Sequence, residues 1–170
     1  TVTDVVGFGR SETEVLKVTA ALETGSSHPL AKAILARAAR DGLSPLTVTD
    51  GRAIGGKGIE GSVGGLLAFF GSPQAARERS PLSPEQDAQI AAMSDQGKTV
   101  SILLLDGGVA GLVGVRDEPR PDARASLDAL RLFGIRTIML TGDNQRAADA
   151  IGQQLGGIEV RAELLPDDKQ

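Results

Sequence analysis

The sequence predicts an α+β domain, in which helix hairpins flank an antiparallel sheet, joined to an α/β domain with a parallel sheet. Two amphipathic helices follow one another near the start of the chain. Two pairs of short β-type runs, each joined by glycines, come next, and the last third alternates helices with strands. Consecutive hairpins are typical of antiparallel sheets, whereas alternating helices and strands are typical of parallel sheets.

The helices of the first domain are indicated by their start signals. Ser11 and Glu14 have the Ser-x-x-Glu spacing of a capping box. Before the second helix, either serine of Ser26-Ser27 can act as the cap, and Pro29 fits the first helical position because its missing N–H would be unpaired there. A second Ser-Pro pair, Ser83-Pro84, starts a third helix. The predicted helices cover residues 11–22, 28–39 and 85–93.

The strands of the first domain are indicated by apolar runs separated by turn residues. Gly64-Gly65 is a strong two-residue hairpin signal, and Asp106-Gly107-Gly108 joins a second hairpin. The predicted strands cover residues 47–49, 59–63, 66–70, 99–105 and 109–115. We expect helices to cover one face of the resulting sheet.

The second domain begins where the pattern changes after Val115. The sequence predicts helices over residues 121–133 and 144–155, and strands over residues 136–140 and 158–162. We therefore expect two domains, residues 1–115 and residues 116–170, the second with a parallel sheet.

Composition excludes several classes of function. The 170 residues are 41% hydrophobic, enough for a real core. The net charge of −4 and the absence of Tyr and Trp argue against nucleic acid as a partner. Without cysteine and with a single histidine, the chain has no thiolate or His-cluster metal site. No apolar run approaches the roughly 20 residues of a membrane span, so we expect no direct membrane insertion and a soluble piece.

His28, the only histidine, lies at the start of the second helix. A helix start offers unpaired amides and a partial positive charge, so a ring there can lie beside an anionic ligand. Glu23 puts a carboxylate five residues earlier. A plain helix start, with no ligand, explains the same four residues Ser-Ser-His-Pro.

A glycine-rich stretch, residues 51–61, matches two phosphate-binding motifs in part. Gly58 occupies the position where a P-loop has its Mg²⁺-binding Ser or Thr, and no helix signal follows. The G-x-G-x-x-G match of Gly56, Gly58 and Gly61 leads into a strand rather than a crossover helix. A turn between two strands is the structural alternative. Backbone without side chains can still approach a phosphate, with Lys57 adding positive charge.

Two further motifs lie in the second domain. The segment Leu140-Thr141-Gly142-Asp143-Asn144 follows a predicted parallel strand, at the edge where open α/β sheets bind ligands. The segment Leu164-Leu165-Pro166-Asp167-Asp168-Lys169 ends in a lysine that can hold a phosphoryl group. A helix cap and a solvated helix start are the structural alternatives for these two segments.

Five motifs together resemble the heavy-metal P-type ATPases, in the order and at the spacing of that family. They are Ser-Ser-His-Pro-Leu-Ala-Lys-Ala-Ile, Gly-Gly-Lys-Gly-Ile-Glu-Gly, Arg-Asp-Glu-Pro-Arg-Pro-Asp-Ala from Arg116, Leu-Thr-Gly-Asp-Asn and Leu-Pro-Asp-Asp-Lys. The resemblance covers nearly the whole chain. It implies that residues 1–115 are a nucleotide-binding domain and that residues 116–170 are part of a haloacid-dehalogenase-like phosphorylation domain.

The resemblance also implies roles for individual residues. Those matching the family's nucleotide site are Glu23 and His28 for adenine, and Gly56, Lys57, Gly58, Ile59, Gly71 and Ser72 on the phosphate side. Ser72 stands where the family often has Asn, so its polar contact is shortened. Thr141 and Lys169 match the catalytic threonine and lysine that hold the transferred phosphoryl group. The implied cofactors are ATP and Mg²⁺.

The resemblance implies that this is a piece of a longer pump. The family's Asp-Lys-Thr-Gly-Thr phosphorylation motif and its Gly-Asp-Gly-x-Asn-Asp segment do not occur in these 170 residues. We therefore expect the chain to bind ATP without hydrolysing it. Its partners would be the rest of the phosphorylation domain, the actuator domain and the transmembrane domain of the same pump, in the cytosolic part of a membrane protein.

The motifs favour zinc, cadmium or lead as the exported cation. Ser-Ser-His-Pro and Thr-Gly-Asp-Asn-x-Arg-Ala-Ala are similar to that branch, whereas Ser-Glu-His-Pro is common in the copper branch. The alternatives are a copper-exporting pump and a stand-alone adenine-nucleotide-binding regulatory module. A free phosphatase of the dehalogenase type would need an Asp-x-Asp pair before its core, and the chain has no such pair.

Overall fold

A six-stranded antiparallel sheet forms the centre of the first of two compact units. A computed structural model describes residues 1–44, 46–116, 123–141 and 145–162. One unit contains residues 1–93 and 99–116, and the other contains residues 94–98 and the described residues from 123 onward. The predicted segments at 117–122, 142–144 and 163–170 lie outside the described residues.

The sheet confirms the predicted antiparallel arrangement. Its strands are β1 (Val2–Gly7), β2 (Val48–Ile54), β3 (Gly58–Val63), β4 (Leu66–Gly71), β5 (Thr99–Leu105) and β6 (Gly108–Val115). The strand order is β1-β6-β5-β4-β3-β2, and every neighbouring pair is antiparallel. Gly64 and Gly65 both adopt positive φ in the β3–β4 turn, as expected for a two-residue hairpin.

Helices cover both faces of this sheet, so the expectation of one covered face is wrong. The helices are α1 (Glu12–Leu22), α2 (Pro29–Arg40), α3 (Pro73–Arg77) and α4 (Pro84–Asp95). Side chains of α1 and α2 form one core with Phe70 and Leu103, and side chains of α3 and α4 form another with Phe69 and Leu104. The physical reason is that β4 and β5 contain consecutive apolar residues. A strand that is covered on both faces buries adjacent residues along the chain, whereas a strand covered on one face buries every second residue.

Two elements were not predicted from the sequence. Strand β1 lies at the edge of the sheet and pairs only with β6, from Val2 opposite Val115 to Gly7 opposite Gly111. Helix α3 has only five residues, too few for a recognisable apolar period, although Ser72-Pro73 repeats the start signal of α4. Strand β2 also extends well beyond the predicted residues 47–49, because pairing with β3 carries it to Ile54.

The second unit contains two helices and a pair of parallel strands. They are α5 (Ala123–Leu132), β7 (Ile138–Leu140), α6 (Gln145–Gln154) and β8 (Glu159–Arg161). Strands β7 and β8 pair in parallel, which confirms the prediction of a parallel sheet here. No helix in the described part of the chain is long and apolar enough to cross a membrane.

Candidate functional site

Glu23 is an ionisable residue that the first unit buries. It forms the C-cap of α1 and is only 7% exposed. Burial raises the pKa of its carboxyl above the ordinary value, and the neighbouring Ser26 and His28 act against that rise. A helix C-terminus is also unfavourable for a negative charge. The fold therefore holds this carboxyl at an energetic cost.

The turn from Glu23 to His28 is closed by hydrogen bonds of Ser26. The Ser26 amide donates to the Glu23 carbonyl at 3.0 Å, and the His28 amide donates to Ser26 Oγ at 3.4 Å. Gly25 makes the turn possible with φ near +86°, a conformation that glycine adopts without strain. This turn brings Glu23 and His28 together, which their separation in sequence does not require.

His28 itself caps α2, so the prediction of a serine cap is wrong. Its Nδ1 accepts a hydrogen bond from the Leu30 amide at 3.2 Å, and Pro29 follows at the first helical position as expected. Because Nδ1 accepts, the proton of the neutral ring lies on Nε2. The ring remains exposed, so its face is accessible to a ligand.

The glycine motif forms the turn between β2 and β3 and meets the end of β4. Gly58 pairs with Gly71, and the Ser72 amide donates to the Lys57 carbonyl at 3.1 Å. A Cβ on Gly58 would lie 2.2 Å from the Phe70 carbonyl oxygen. Strand packing therefore requires glycine at position 58. The structure thus brings the predicted phosphate-side residues of the two segments together.

Gly56 differs from Gly58 and Gly61, where an added Cβ would meet other atoms at 2.2 and 2.8 Å. It has φ near +68°, and a Cβ built there would meet no atom within 4 Å. The space over its backbone is open, so an anion can approach it directly. At position 56, glycine both adopts the turn conformation and leaves room for a ligand to approach the backbone closely.

Both polar side chains beside this turn already have partners. Lys57 Nζ forms an ion pair with Glu78, which follows α3. The Ser72 hydroxyl caps α3 by accepting a hydrogen bond from the Ala75 amide at 3.3 Å. The Glu78 partner was not predicted, because nothing in the sequence links a residue after a short helix to a lysine 21 positions earlier.

A residue next to the start of α2 and a residue next to the glycine turn pack against the same hydrophobic core. Leu30, two residues after His28, and Ile59, next to Gly58, both pack at the partly buried edge of the cluster formed with α1 and α2. Ile59 therefore faces the same core as Leu30, whereas the side chains of Lys57 and Ser72 contact α3, which packs on the other core.

The opposite face of the sheet carries a separate cavity of about 460 Å³. Arg79 lies 4.0 Å over the centre of the Phe69 ring and forms an ion pair with Glu60 at 3.0 Å. Arg52 pairs with the same carboxylate. These contacts were not predicted from the sequence, and the cavity contains none of the predicted site residues.

In the second unit, Thr141 directly follows β7. Its amide donates to the Arg161 carbonyl at 3.0 Å, which continues the parallel pairing by one residue. Thr141 therefore lies at the carboxyl end of a parallel strand, where the sequence predicts it. Lys169 lies outside the described residues. In the part of the chain that the structure describes, no three His, Asp or Glu side chains form a group that could hold a metal ion.

The fold and site define an α+β protein with a buried carboxyl and a histidine on one side of an antiparallel sheet, followed by an α/β unit. The family model of the haloacid dehalogenase-like hydrolases matches residues 1–170. The chain belongs to this family.

Its curated relatives include metal-transporting P-type ATPases. Copper-exporting P-type ATPase B of Archaeoglobus fulgidus is 40% identical over 168 residues, which are 99% of this chain and 24% of that protein. A probable cadmium-transporting ATPase of Staphylococcus aureus is 39% identical over 163 residues, 93% of this chain and 22% of that protein. The chain thus spans about a quarter of the length of these relatives.

Among solved structures, the crystal structure of a zinc-transporting PIB-type ATPase in the E2.Pi state has a similar fold. The TM-score is 0.78 and the sequence identity 36%, over 99% of this chain and 27% of that chain.

Proposed function

We propose that this chain is the ATP-binding portion of a P-type ATPase that exports a heavy-metal cation. Residues 1–115 would be its nucleotide-binding domain and residues 116–170 part of its phosphorylation domain. The observation that carries the proposal is the buried Glu23 carboxyl, with His28 near enough to act on its pKa, at the end of helix α1, whose side chains form the core that Ile59 packs against. The names of the relatives supply the class of pump.

Glu23 and His28 suit an adenine ring. The carboxylate accepts a hydrogen bond from the exocyclic amino group, and its burial makes that bond strong and directional. The exposed imidazole face stacks on the base. Guanine presents a carbonyl in place of the amino group, so the same carboxylate selects against GTP.

The glycine turn suits the phosphates. Gly56 leaves its backbone open, and Gly58, Ile59, Gly71 and Ser72 form the adjoining wall through the β3–β4 pairing. Lys57 supplies the positive charge on this side, with Glu78 as its competing partner. Mg²⁺ would arrive with the nucleotide phosphates.

Thr141 and Lys169 would hold the transferred phosphoryl group in the whole pump, which hydrolyses ATP through an aspartyl-phosphate. The rest of the phosphorylation domain, the actuator domain and the transmembrane domain would be the partners of this cytosolic portion. Within the heavy-metal class, the motif Ser-Ser-His-Pro supports zinc, cadmium or lead. Stimulation of the whole pump's ATP hydrolysis by Cu⁺ and by none of these three ions would contradict that assignment.

Calorimetric titration with ATP tests the nucleotide site. We expect Glu23→Ala and His28→Gln to weaken ATP binding by roughly five- to a hundredfold, the loss expected for a buried, directional polar contact. Glu12→Ala, which removes an exposed glutamate of the same helix, is the matched control and should bind like the wild type. Wild-type affinity in both site variants, or equal affinity of the wild type for ATP and GTP, would contradict the proposal.

Turnover is tested separately with γ-labelled ATP and Mg²⁺, followed by an acid quench. The 170 residues contain no Asp-Lys-Thr-Gly-Thr nucleophile motif, and loss of a covalent nucleophile removes orders of magnitude of rate. We expect no phosphate release above a heat-inactivated control. A hydroxylamine-sensitive phosphoprotein would overturn the assignment of the two domains.

A further inference from the structure

The cavity of about 460 Å³ is separate from the proposed nucleotide site, because none of the residues proposed to contact ATP lines it. Its volume falls within the roughly 300–1,000 Å³ of pockets that bind small molecules. Phe69 and Leu104 belong to its apolar lining, and they lie opposite each other on β4 and β5, on one face of the sheet. Leu67 continues this face of β4 but is 72% exposed, so the cover provided by α3 and α4 ends between Leu67 and Phe69. The cavity thus exposes apolar surface of the sheet.

Two arginines line the cavity around one carboxylate. Arg52 contacts Glu60 Oε1 through Nε and Nη2, and Arg79 contacts Glu60 Oε2 through Nη1 at 3.0 Å. Arg79 also lies 4.0 Å over the centre of the Phe69 ring. Glu60 therefore holds both guanidinium groups beside the apolar lining. A guanidinium carries five N–H groups, so both arginines keep donors for a second acceptor.

This arrangement suits a ligand that carries one carboxylate on a flat apolar body. Glu60 shows that one carboxylate can contact both arginines, and a planar guanidinium matches the geometry of a carboxylate. A flat ring can stack on a guanidinium group, as the Phe69 ring does on Arg79. Asp50 and Glu60 balance the two arginines among the charged residues that line the cavity. A ligand with one negative charge therefore fits better than a phosphate ester with two.

We infer that this cavity is a second ligand site, which binds a small aromatic carboxylate through Arg52 and Arg79. Glu60 is a positioning residue that holds the two arginines, and Asp50 opposes binding through its negative charge. The inference does not depend on the proposed function, because the two sites share no residue.

NMR titration of the ¹⁵N-labelled 170-residue chain with 2-naphthoate tests the site. We expect a dissociation constant of about 1 mM, typical of a ligand of this size, and the largest amide shifts within residues 60–69 and at Arg79. The uncharged 2-naphthamide has the same apolar body and should bind at least about fivefold more weakly, because it cannot form a charged pair with the arginines. Absence of saturable shifts at these amides, or equal affinity for the two compounds, would overturn the inference.

Two variants test the arginines. Arg79→Met keeps an apolar side chain against Phe69 and should weaken naphthoate binding by roughly five- to tenfold. Arg52→Gln should weaken it by roughly two- to fivefold, a smaller effect because Arg52 is more exposed. Arg77→Gln makes the same change in net charge outside the cavity, at an arginine that pairs with Asp87, and should bind like the wild type. Equal weakening in all three variants would show a general charge effect and overturn the site. If Arg79→Met fails to fold, the comparison of Arg52→Gln with Arg77→Gln decides.

Asp50→Asn changes affinity in the opposite direction. Removing this exposed negative charge from the cavity should tighten naphthoate binding by roughly twofold. Glu85→Gln makes the same change in net charge on α4 and should leave the affinity unchanged. Weaker binding in Asp50→Asn, or an equal gain in both variants, would contradict the charge assignment of the cavity.

Repeating the titration with excess ATP separates this site from the nucleotide site. The naphthoate shifts and affinity should stay unchanged, because no residue of the proposed nucleotide site lines the cavity. Loss of naphthoate binding on adding ATP would place the probe in the nucleotide site and overturn the inference. If calorimetry shows no ATP binding while naphthoate still binds and depends on the two arginines, the proposed function is wrong and the second site remains.

Discussion

At the scale of single residues, the role proposed for Glu23 conflicts with the stability of the folded chain. Burial sharpens the hydrogen bonds that a carboxylate can make to a ligand, and the same burial penalises its charge. Ser26 and His28 reduce this penalty without removing it, because the pKa of Glu23 remains raised. We therefore expect the free energy of unfolding to increase when this charge is removed.

The stability prediction concerns Glu23→Gln. The folded chain holds the Glu23 proton more tightly than the unfolded chain does, so the stability contributed by this group is present in acid and is lost as pH rises through the raised pKa. Urea unfolding should give a higher free energy of unfolding for the variant than for the wild type at pH 7. The difference should shrink below about pH 4, near the ordinary glutamate pKa. A difference independent of pH would contradict this account.

Gly58 carries the second prediction at this scale. Its φ is near +151°, and a Cβ on it would lie 2.2 Å from the backbone of β4, so alanine there forces β3 away from β4. We expect Gly58→Ala to lower the free energy of unfolding by roughly 2–4 kcal/mol. Gly55→Ala is the control, since a Cβ there meets nothing within 4 Å, and should change stability by less than about 0.5 kcal/mol. Equal stability of the two variants in urea would refute the steric explanation.

At the scale of elements, helix α3 connects the end of β4 with the glycine turn. Ser72 caps α3 and donates its amide to Lys57, while Glu78 at the other end of α3 pairs with the Lys57 ammonium group. The short helix therefore fixes both the backbone and the charge beside the proposed phosphate side. An anionic ligand at Gly56 would compete with Glu78 for Lys57.

This competition gives a prediction for Glu78→Gln. Removing the carboxylate frees Lys57, so ATP should bind roughly two- to threefold more tightly, a small effect because the ion pair is exposed on both sides. Adenosine, which has no phosphates, should bind with unchanged affinity. Glu85→Gln on α4 makes the same change in net charge and serves as the control. Equal gains in the two variants would show a general charge effect and would exclude competition for Lys57.

At the scale of the whole molecule, the two hydrophobic core clusters of the described residues belong to the first unit. Both clusters draw all their buried residues from between Val2 and Val115. In the second unit, α5 has no buried residue, and Leu132 and Phe133 are 88% and 82% exposed. In the proposed function, the rest of the phosphorylation domain would cover these side chains.

We therefore predict that residues 1–116 fold and bind ATP without the remainder. Thermal unfolding of this shorter protein, followed by circular dichroism, should be a single cooperative transition. Its ATP affinity should lie within about twofold of that of the 170-residue chain, because every proposed adenine and phosphate-side residue is retained. Non-cooperative melting, or loss of ATP binding by a folded protein, would contradict this prediction.

The sequence by itself determined the order and type of most elements. The capping box of Ser11 and Glu14, the glycine turn at Gly64-Gly65 and the parallel pair β7–β8 all follow the predictions. The capping box and the glycine turn depend on residues close together in sequence, whose backbone preferences and hydrogen bonds are local, and the parallel pair was predicted from the alternation of helices and strands. The candidate site residues were also named from the sequence, and their role in binding remains a prediction.

Only the tertiary structure decided how distant segments meet. Edge strand β1 exists through its pairing with β6, and the second covered face exists because α3 and α4 pack on Phe69 and Leu104. The ion pair of Lys57 with Glu78 likewise joins two segments that are distant in the chain. Each of these contacts is made by residues that are far apart in the chain, and their energy comes from burial and pairing that exist only once the sheet has formed.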